Sequence, residues 1–300
     1  MKPTKTHVPR GSESRLTVAD LIHRQLDQLT PAERKPARVL LSNYPLAGLE
    51  PLKGYARNAG VSHPSILRFI AKLGFGGYAE FQAALRAELE ARLKSPLSKR
   101  HEDGTETPGD EDFLQRFADA SCENIRQSVA SLPRSAFDGA LSLLADESAT
   151  VYLLGGRFTD PVATYAYMHL RVLRRNVHHV IGPPQSWSEY LLDIDRHTVL
   201  MIFDIRRYQG DLVHFAREAA GRGARVLLIT DQWLSPIAGV AEHVLPTRIE
   251  VPSSWDSVAA ITTLVEGLIA ALNNREWHHL KDRIHDLEQL RSHYEDTWPS

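Results

Sequence analysis

A single cysteine, Cys122, in 300 residues leaves no partner for an internal disulfide and no ligand set for a multi-cysteine zinc site. No stretch approaches 18 uninterrupted apolar residues, so no segment is expected to cross a membrane. The first twenty residues lack the apolar core of a secretion signal, and the cytoplasm is the expected compartment. The histidine pairs His178-His179 and His278-His279 have no H-x-x-x-H spacing or cysteine partner; no metal or other cofactor is expected, and both read as surface histidines. Overall charge bias is also missing, with a formal net charge of −2. What is present, 43% hydrophobic and 24% charged residues, is the make-up of a folded globular chain with length for about two domains.

The small net charge hides two unlike halves. Residues 1–100 carry 17 Lys and Arg against 8 Asp and Glu, a charge of +9, and residues 101–300 carry 18 against 29, or −11. A basic module on an acidic body fits either a polyanion partner, held by phosphate neutralisation with counterion release, or a solvated cationic face.

The basic module reads as short helices. Thr17 and Asp20 open the apolar pattern Val18, Leu21, Ile22, Leu26 and Leu29 with a capping-box spacing. Thr30-Pro31-Ala32-Glu33 opens a second helix, expected to run to about Asn43 before Pro45. A third begins near Pro51 and ends at Gly60. The next helix starts at Ser62 and Pro64 and carries Ile66, Ile70 and Leu73 as its apolar stripe. Ser65, Arg68 and Lys72, at offsets of three and four, are expected on the opposite face.

Helix, glycine turn and cationic helix together make a helix-turn-helix pattern, whose second helix enters the major groove. A plain amphipathic surface helix is the competing reading. On the first reading the candidate DNA-binding residues are Ser62, His63 and Ser65, for phosphates or base edges, and Arg68 and Lys72, for guanine edges or backbone.

The run Ala59-Gly60-Val61-Ser62-x-x-Ser65-Ile66-x-Arg68-Phe69-x-x-Lys72-Leu73-Gly74-Phe75, followed by Gly77-Tyr78-x-x-Phe81, resembles the N-terminal domain of RpiR-type bacterial transcriptional regulators. The resemblance implies a dimeric repressor or activator that binds a pseudo-palindromic DNA operator and carries a C-terminal sugar-isomerase (SIS) domain.

Residues 94–112 are rich in Ser, Pro, Gly, Glu and Asp and read as a flexible linker. Two helical patterns follow at 113–131 and 134–146. Strands are then expected at 149–154, 177–181, 198–203, 224–229 and 242–246, with helices at 160–174, 209–222, near 235–240 and at 255–273. Such alternation calls for a parallel sheet flanked by helices, with ligands outside the carboxyl ends of its strands. The helix from Val258 to Leu272 is apolar on more than one stripe and is expected to pack on the sheet and on a partner subunit. Residues 275–294 suggest one more amphipathic helix.

The order of these elements is similar to the SIS domain. The ligand loops depart from that family's usual form: Gly155-Gly156-Arg157-Phe158-Thr159 stands where many members have G-x-G-x-S, and Asp204-Ile205-Arg206-Arg207-Tyr208-Gln209 where they have S-x-S-G-x-T. The candidate ligand-binding residues are Gly155, Arg157, Thr159, Asp204, Arg206, Arg207 and Gln209, with Asp204 expected to repel phosphate unless it pairs with an arginine. Either the arginines hold a different small anion, or the pocket has lost its ligand and serves dimerisation. Sugar-phosphate isomerisation is the alternative; Glu189, Glu250 and His243 are its available bases, and none stands in a recognisable catalytic setting, so no enzyme activity is expected.

The expected fold class is an all-α helix-turn-helix domain followed by an α/β, SIS-like domain with a parallel sheet flanked by helices. The boundaries read as a disordered tail at 1–15, the DNA-binding domain at 16–93, the linker at 94–112, the effector and dimerisation domain at 113–273, and a C-terminal helix and tail at 274–300. The expected partners are a double-stranded DNA operator, a second copy of the chain or a higher homo-oligomer, and a small anionic, phosphosugar-like effector. An effectorless DNA-binding protein is the remaining alternative.

Overall fold

The computed structural model describes residues 16–102 and 112–295; the expected tail at 1–15, part of the expected linker, and residues 296–300 lie outside them. The first unit contains α1 (Val18–Gln25), α2 (Pro31–Ser42), α3 (Leu46–Leu49), α4 (Leu52–Ala59), α5 (His63–Lys72) and α6 (Tyr78–Leu93). Both predicted capping boxes form. Thr17 Oγ1 accepts from the Asp20 amide at 3.1 Å while Asp20 accepts from the Thr17 amide at 2.8 Å, and Thr30 and Glu33 repeat the exchange at 3.4 and 2.9 Å. Each such cap stabilises its helix by about 1 kcal/mol.

The helices close on Tyr55, Phe69 and Phe81, with Ile22, Leu40, Ile66, Ile70 and Leu85 around them, all fully buried. The Tyr55 hydroxyl donates to the Pro36 carbonyl at 2.8 Å and ties α4 to α2. Gly60 ends α4 at φ 61°, a left-handed conformation that an L side chain rarely adopts, and this turn sets the angle between α4 and α5.

The expected flexible linker is helical in its first part, α7 (Pro96–Glu102). Ser95 and Ser98 exchange side-chain to amide hydrogen bonds across its start, at 3.1 and 2.6 Å. Lys99 is buried and reaches Asp256 at 2.6 Å, so this segment is docked on the second unit. Composition suggested a linker, whereas the Ser-Pro helix start and one long-range ion pair decide the local structure.

The second unit contains α8 (Phe113–Ser131), α9 (Arg134–Ala145), β1 (Thr150–Gly155), α10 (Asp160–Leu173), β2 (Val177–His179), α11 (Trp187–Tyr190), β3 (Thr198–Asp204), α12 (Gly210–Gly221), β4 (Arg225–Asp231), β5 (His243–Thr247) and α13 (Ala259–Glu295). The five strands are all parallel, in the order β2-β1-β3-β4-β5. Alternate residues face opposite sides. Val151, Leu153, Val199, Met201, Phe203, Leu227 and Ile229 pack with α9, α10 and α13, while Tyr152, Leu154, Leu200, Ile202, Val226 and Leu228 pack with α11 and α12. Successive connections leave β1 and β3 in opposite directions, so the topological switch point lies between the carboxyl ends of these two strands.

One expectation about the C-terminal region is corrected. Residues 259–295 form one continuous helix rather than two, because Asn273 and Asn274 lower helix propensity without breaking the helix and its second half is anchored. Leu280 is buried, and Arg283 donates to the carbonyls of Val172 at 2.8 Å and Arg171 at 2.9 Å, capping the end of α10. Ile261, Leu264, Val265, Leu268 and Leu272 are all buried within one chain, so this stripe faces its own sheet and neighbouring helices, as expected.

Candidate functional site

Helix α5 was expected to present Ser65, Arg68 and Lys72 together. At about 100° per residue, adding Phe69 to Ile66, Ile70 and Leu73 turns the centre of the buried arc toward Ser65. Ser65 is accordingly buried, at 8% accessibility, and its hydroxyl lies 3.0 Å from that of Ser62 and accepts from Arg68 at 3.2 Å. Ser62 occupies the N-cap position without a side-chain bond to the helix amides. Lys72 bends back onto α2 and its approach, donating to the Gln28 carbonyl at 2.5 Å and to Glu33 at 3.1 Å. The Thr30 amide and the Lys72 ammonium hold the Glu33 carboxyl below the usual carboxylate range.

The outward face is therefore His63, Pro64, Leu67, Arg68 and Ala71, all exposed. Leu67 is 42% accessible although its neighbours Ile66, Phe69 and Ile70 are fully buried. Leu67, Ala71 and Pro64 were missed because apolar residues were assigned inward; the helical position of Phe69 was the signal that would have placed them. An outward face combining a guanidinium with small apolar groups suits guanine edges and thymine methyls in a major groove. Arg34, Lys35 and Arg38 on α2 and Lys53 and Arg57 on α4 are also exposed, on the helices that pack around α5.

At the switch point, the donors expected to hold an anion have partners within the chain, apart from the exposed guanidinium groups of Arg157 and Arg207. Thr159 is buried; its hydroxyl donates to the Phe203 carbonyl at 2.8 Å and accepts from the Gly156 amide at 2.8 Å. Gln209 accepts from the Arg157 amide at 2.6 Å. A Cβ on Gly155 would stand 2.5 Å from the Asp160 backbone, so the tight loop itself requires glycine. The Arg157 side chain is exposed and lies over the Phe158 ring. Asp160, at the start of α10, is 2.8 Å from His179 Nε2, so His179 is a half-buried partner rather than a loose surface group.

The β3–α12 loop is closed in the same way. Asp204 is buried and pairs with neither neighbouring arginine; it accepts from Ser235 Oγ at 2.5 Å, and burial pushes its carboxyl up to about 7. Asp231 is also buried, accepts from the Arg206 amide at 2.5 Å, Tyr208 Oη at 2.7 Å and the Trp233 amide at 2.9 Å, and is pushed up to about 6 by burial. The Arg206 guanidinium is turned away from the switch point. It donates to the Ala91 carbonyl on α6, pairs with Glu250 and Asp256 at 3.2 Å each, and stacks over Trp233. Arg207 remains exposed, at φ 69°.

These loops grip the helical unit directly. Besides Arg206 and Ala91, the Arg92 guanidinium lies 4.4 Å from the Tyr208 ring centre, buried Arg248 pairs with Asp20, and Leu234 joins the helical core. The bases considered for isomerisation stand in separate surroundings: Glu250 pairs with Arg206, His243 packs against Gly139 on α9, and Glu189 is exposed on α11.

Comparison with known proteins agrees with both halves. Residues 16–92 match the helix-turn-helix domain of the rpiR family, and residues 143–271 match the SIS domain. The HTH-type transcriptional regulator HexR of Pseudomonas aeruginosa is 29% identical over 247 residues, covering 81% of this chain and 82% of that protein. The bifunctional protein glk of Paraburkholderia xenovorans is 32% identical over 136 residues, 45% of this chain, and the match spans only 20% of its length. Among solved structures, the Vibrio vulnificus NanR protein complexed with ManNAc-6P has a TM-score of 0.52 at 15% identity, covering 91% of this chain and 97% of that one. The chain thus joins a helix-turn-helix domain of the rpiR family to a C-terminal SIS domain, in the order that marks the RpiR-type resemblance.

Proposed function

We propose that this protein binds a duplex operator as a homodimer, reads it through the outward face of α5, and changes its operator affinity when the SIS domain binds a small anionic, phosphosugar-like metabolite. The observation that carries the DNA reading is the exposed set His63, Pro64, Leu67, Arg68 and Ala71 on a helix whose opposite face is locked in the core. Arg68 is the base-reading candidate and His63 and Ser62 are placed for phosphate; Ser65 acts by orienting Arg68, and Lys72 by fixing α5 to α2.

Exposed apolar surface at Leu114 and Val129 on α8 and at Met168 on α10 supports self-association. The complex of NanR with ManNAc-6P supports a phosphorylated-sugar class for the effector. The direct contacts from the 204–209 loop to α6 supply a path by which effector binding shifts the population of DNA-competent geometries, provided the two states bind it unequally.

Arg68→Ala tests the reading. Against a duplex selected from a random library by the parent protein, it is expected to weaken binding by about 1–3 kcal/mol while the solution mass and circular dichroism stay unchanged. Unchanged operator affinity would remove α5 as the reading helix.

A further inference from the structure

We propose that a small dianionic phosphate group binds in the groove between the C-terminal end of α6 and the outer face of α12, bridging the DNA-binding and SIS domains. This deepens the metabolite-sensing reading above, on which it rests, and moves the anion away from the switch-point loops.

At the switch point the Gly156 and Arg157 amides, the Thr159 hydroxyl and the Arg206 guanidinium all have partners inside the chain, and Asp204 and Asp231 stand beside them. The groove has the opposite character. It is an open groove of about 630 Å³, within the range of small-molecule sites, and its lining includes Arg92, Arg207, His214 and Arg217 but no carboxylate. Val213, His214 and Arg217 lie at helical offsets that bring them to one face of α12. Among the described residues, exposed Arg207, His214 and Arg217 make no ion pair, whereas buried Arg206 and Arg248 are paired with carboxylates and buried Arg174 with backbone carbonyls.

Two of these four cations, Arg92 and Arg207, have a defined placement. Arg92 is held between the Tyr208 ring, 4.4 Å away, and the Tyr44 carbonyl, which accepts from it at 3.1 Å. Arg207 is kept at φ 69°, a left-handed conformation that non-glycine residues rarely adopt. Guanidinium groups lining one groove from two domains suit the several acceptor oxygens of a phosphomonoester, and the apolar wall at Val213 suits the body of a small molecule. Because Arg92 belongs to α6 and Arg207 and Arg217 to the SIS domain, an anion held by all three favours whichever domain arrangement brings them together.

The test titrates inorganic phosphate into the full-length protein, followed by 31P NMR, with selected operator DNA measured on the same variants. Arg207→Gly with Arg217→Ala is expected to weaken phosphate binding at least tenfold while operator binding without phosphate stays within twofold; the glycine relieves rather than adds backbone strain at position 207. Arg157→Ala is expected to leave phosphate binding within twofold. Phosphate binding that survives the double variant and is lost in Arg157→Ala would return the site to the switch point and overturn the proposal. Absence of saturable phosphate binding to the parent would overturn it as well. Loss of operator binding by the double variant without phosphate would assign the groove to the DNA backbone instead. Failure of the regulator reading is distinct, since it shows as an Arg68→Ala variant with undiminished operator affinity.

Discussion

The outer face of α5 and the loops at the sheet's switch point are built from similar residue types, yet the fold treats them in opposite ways. On α5 the acceptors of Ser65 and Glu33 draw Lys72 and one edge of Arg68 toward the core seam, and a face of five residues is left open. At the switch point the parallel strands bring Asp204 and Asp231 to adjoining strand ends, and these carboxyls, with Gln209 and Thr159, occupy the donors that a ligand would otherwise meet. Hydroxyls and arginines in a loop therefore indicate an anion site only when the fold leaves them without internal acceptors.

The strongest way to break this comparison is through the scaffold of α5. Phe69 is fully buried beside Ile66 and Ile70, and Phe69→Ala is expected to destabilise the helical unit by about 3–5 kcal/mol, abolishing operator binding together with its cooperative unfolding. Chemical denaturation followed by circular dichroism measures this. A variant that unfolds like the parent would show that α5 is a loosely held surface helix.

A smaller effect concerns the buried carboxyls. The Asp204 and Asp231 carboxyls titrate near 7 and 6 in the folded chain, above the ordinary aspartate value of 3.8, so the folded state holds more protons than the unfolded state between about pH 4 and 7. Stability is therefore expected to fall as pH rises through that window, and to be lower at pH 8 than at pH 6. Asp204→Asn keeps an oxygen acceptor for Ser235 and removes one of the two titrations, so it is expected to flatten the change in Tm between pH 6 and pH 8. An unaltered slope would mean that the 204–209 loop is open to water, as a vacant ligand loop would be.

The alternation of strands and helices was legible because both periodicities are strong: buried strands such as Val199–Phe203 and amphipathic helices such as α10 give unmixed patterns. The two capping boxes were legible for a similar local reason. What escaped was set by contacts distant in sequence. Lys99 finds Asp256, Arg206 finds the Ala91 carbonyl and Glu250, and Arg283 finds the end of α10, and no local spacing encodes those meetings. The orientation of α5 falls between these cases. Its helix was evident, but counting three apolar residues rather than four misplaced the face by part of a turn, which moved Ser65 and Lys72 outward and left out Leu67 and Ala71.

Lys72 sharpens that last point with the smallest expected effect. Its ion pair with Glu33 is partly exposed, at 31% and 12% side-chain accessibility, so Lys72→Met is expected to cost no more than about 1 kcal/mol of stability. The methionine keeps most of the apolar stem and removes the charge. If Lys72 ties α5 to α2, operator affinity of the variant stays within threefold, and the dependence of log K on log salt keeps its slope. If instead it contacts a DNA phosphate, one released counterion is lost and the slope falls by about 0.9. Arg68→Ala in the same salt series supplies the contrast, because a base-reading guanidinium also relaxes discrimination among duplex sequences. On the proposed reading, two cations four residues apart on one helix divide into a reader and a tether, and salt dependence together with sequence preference tells them apart where affinity alone would not.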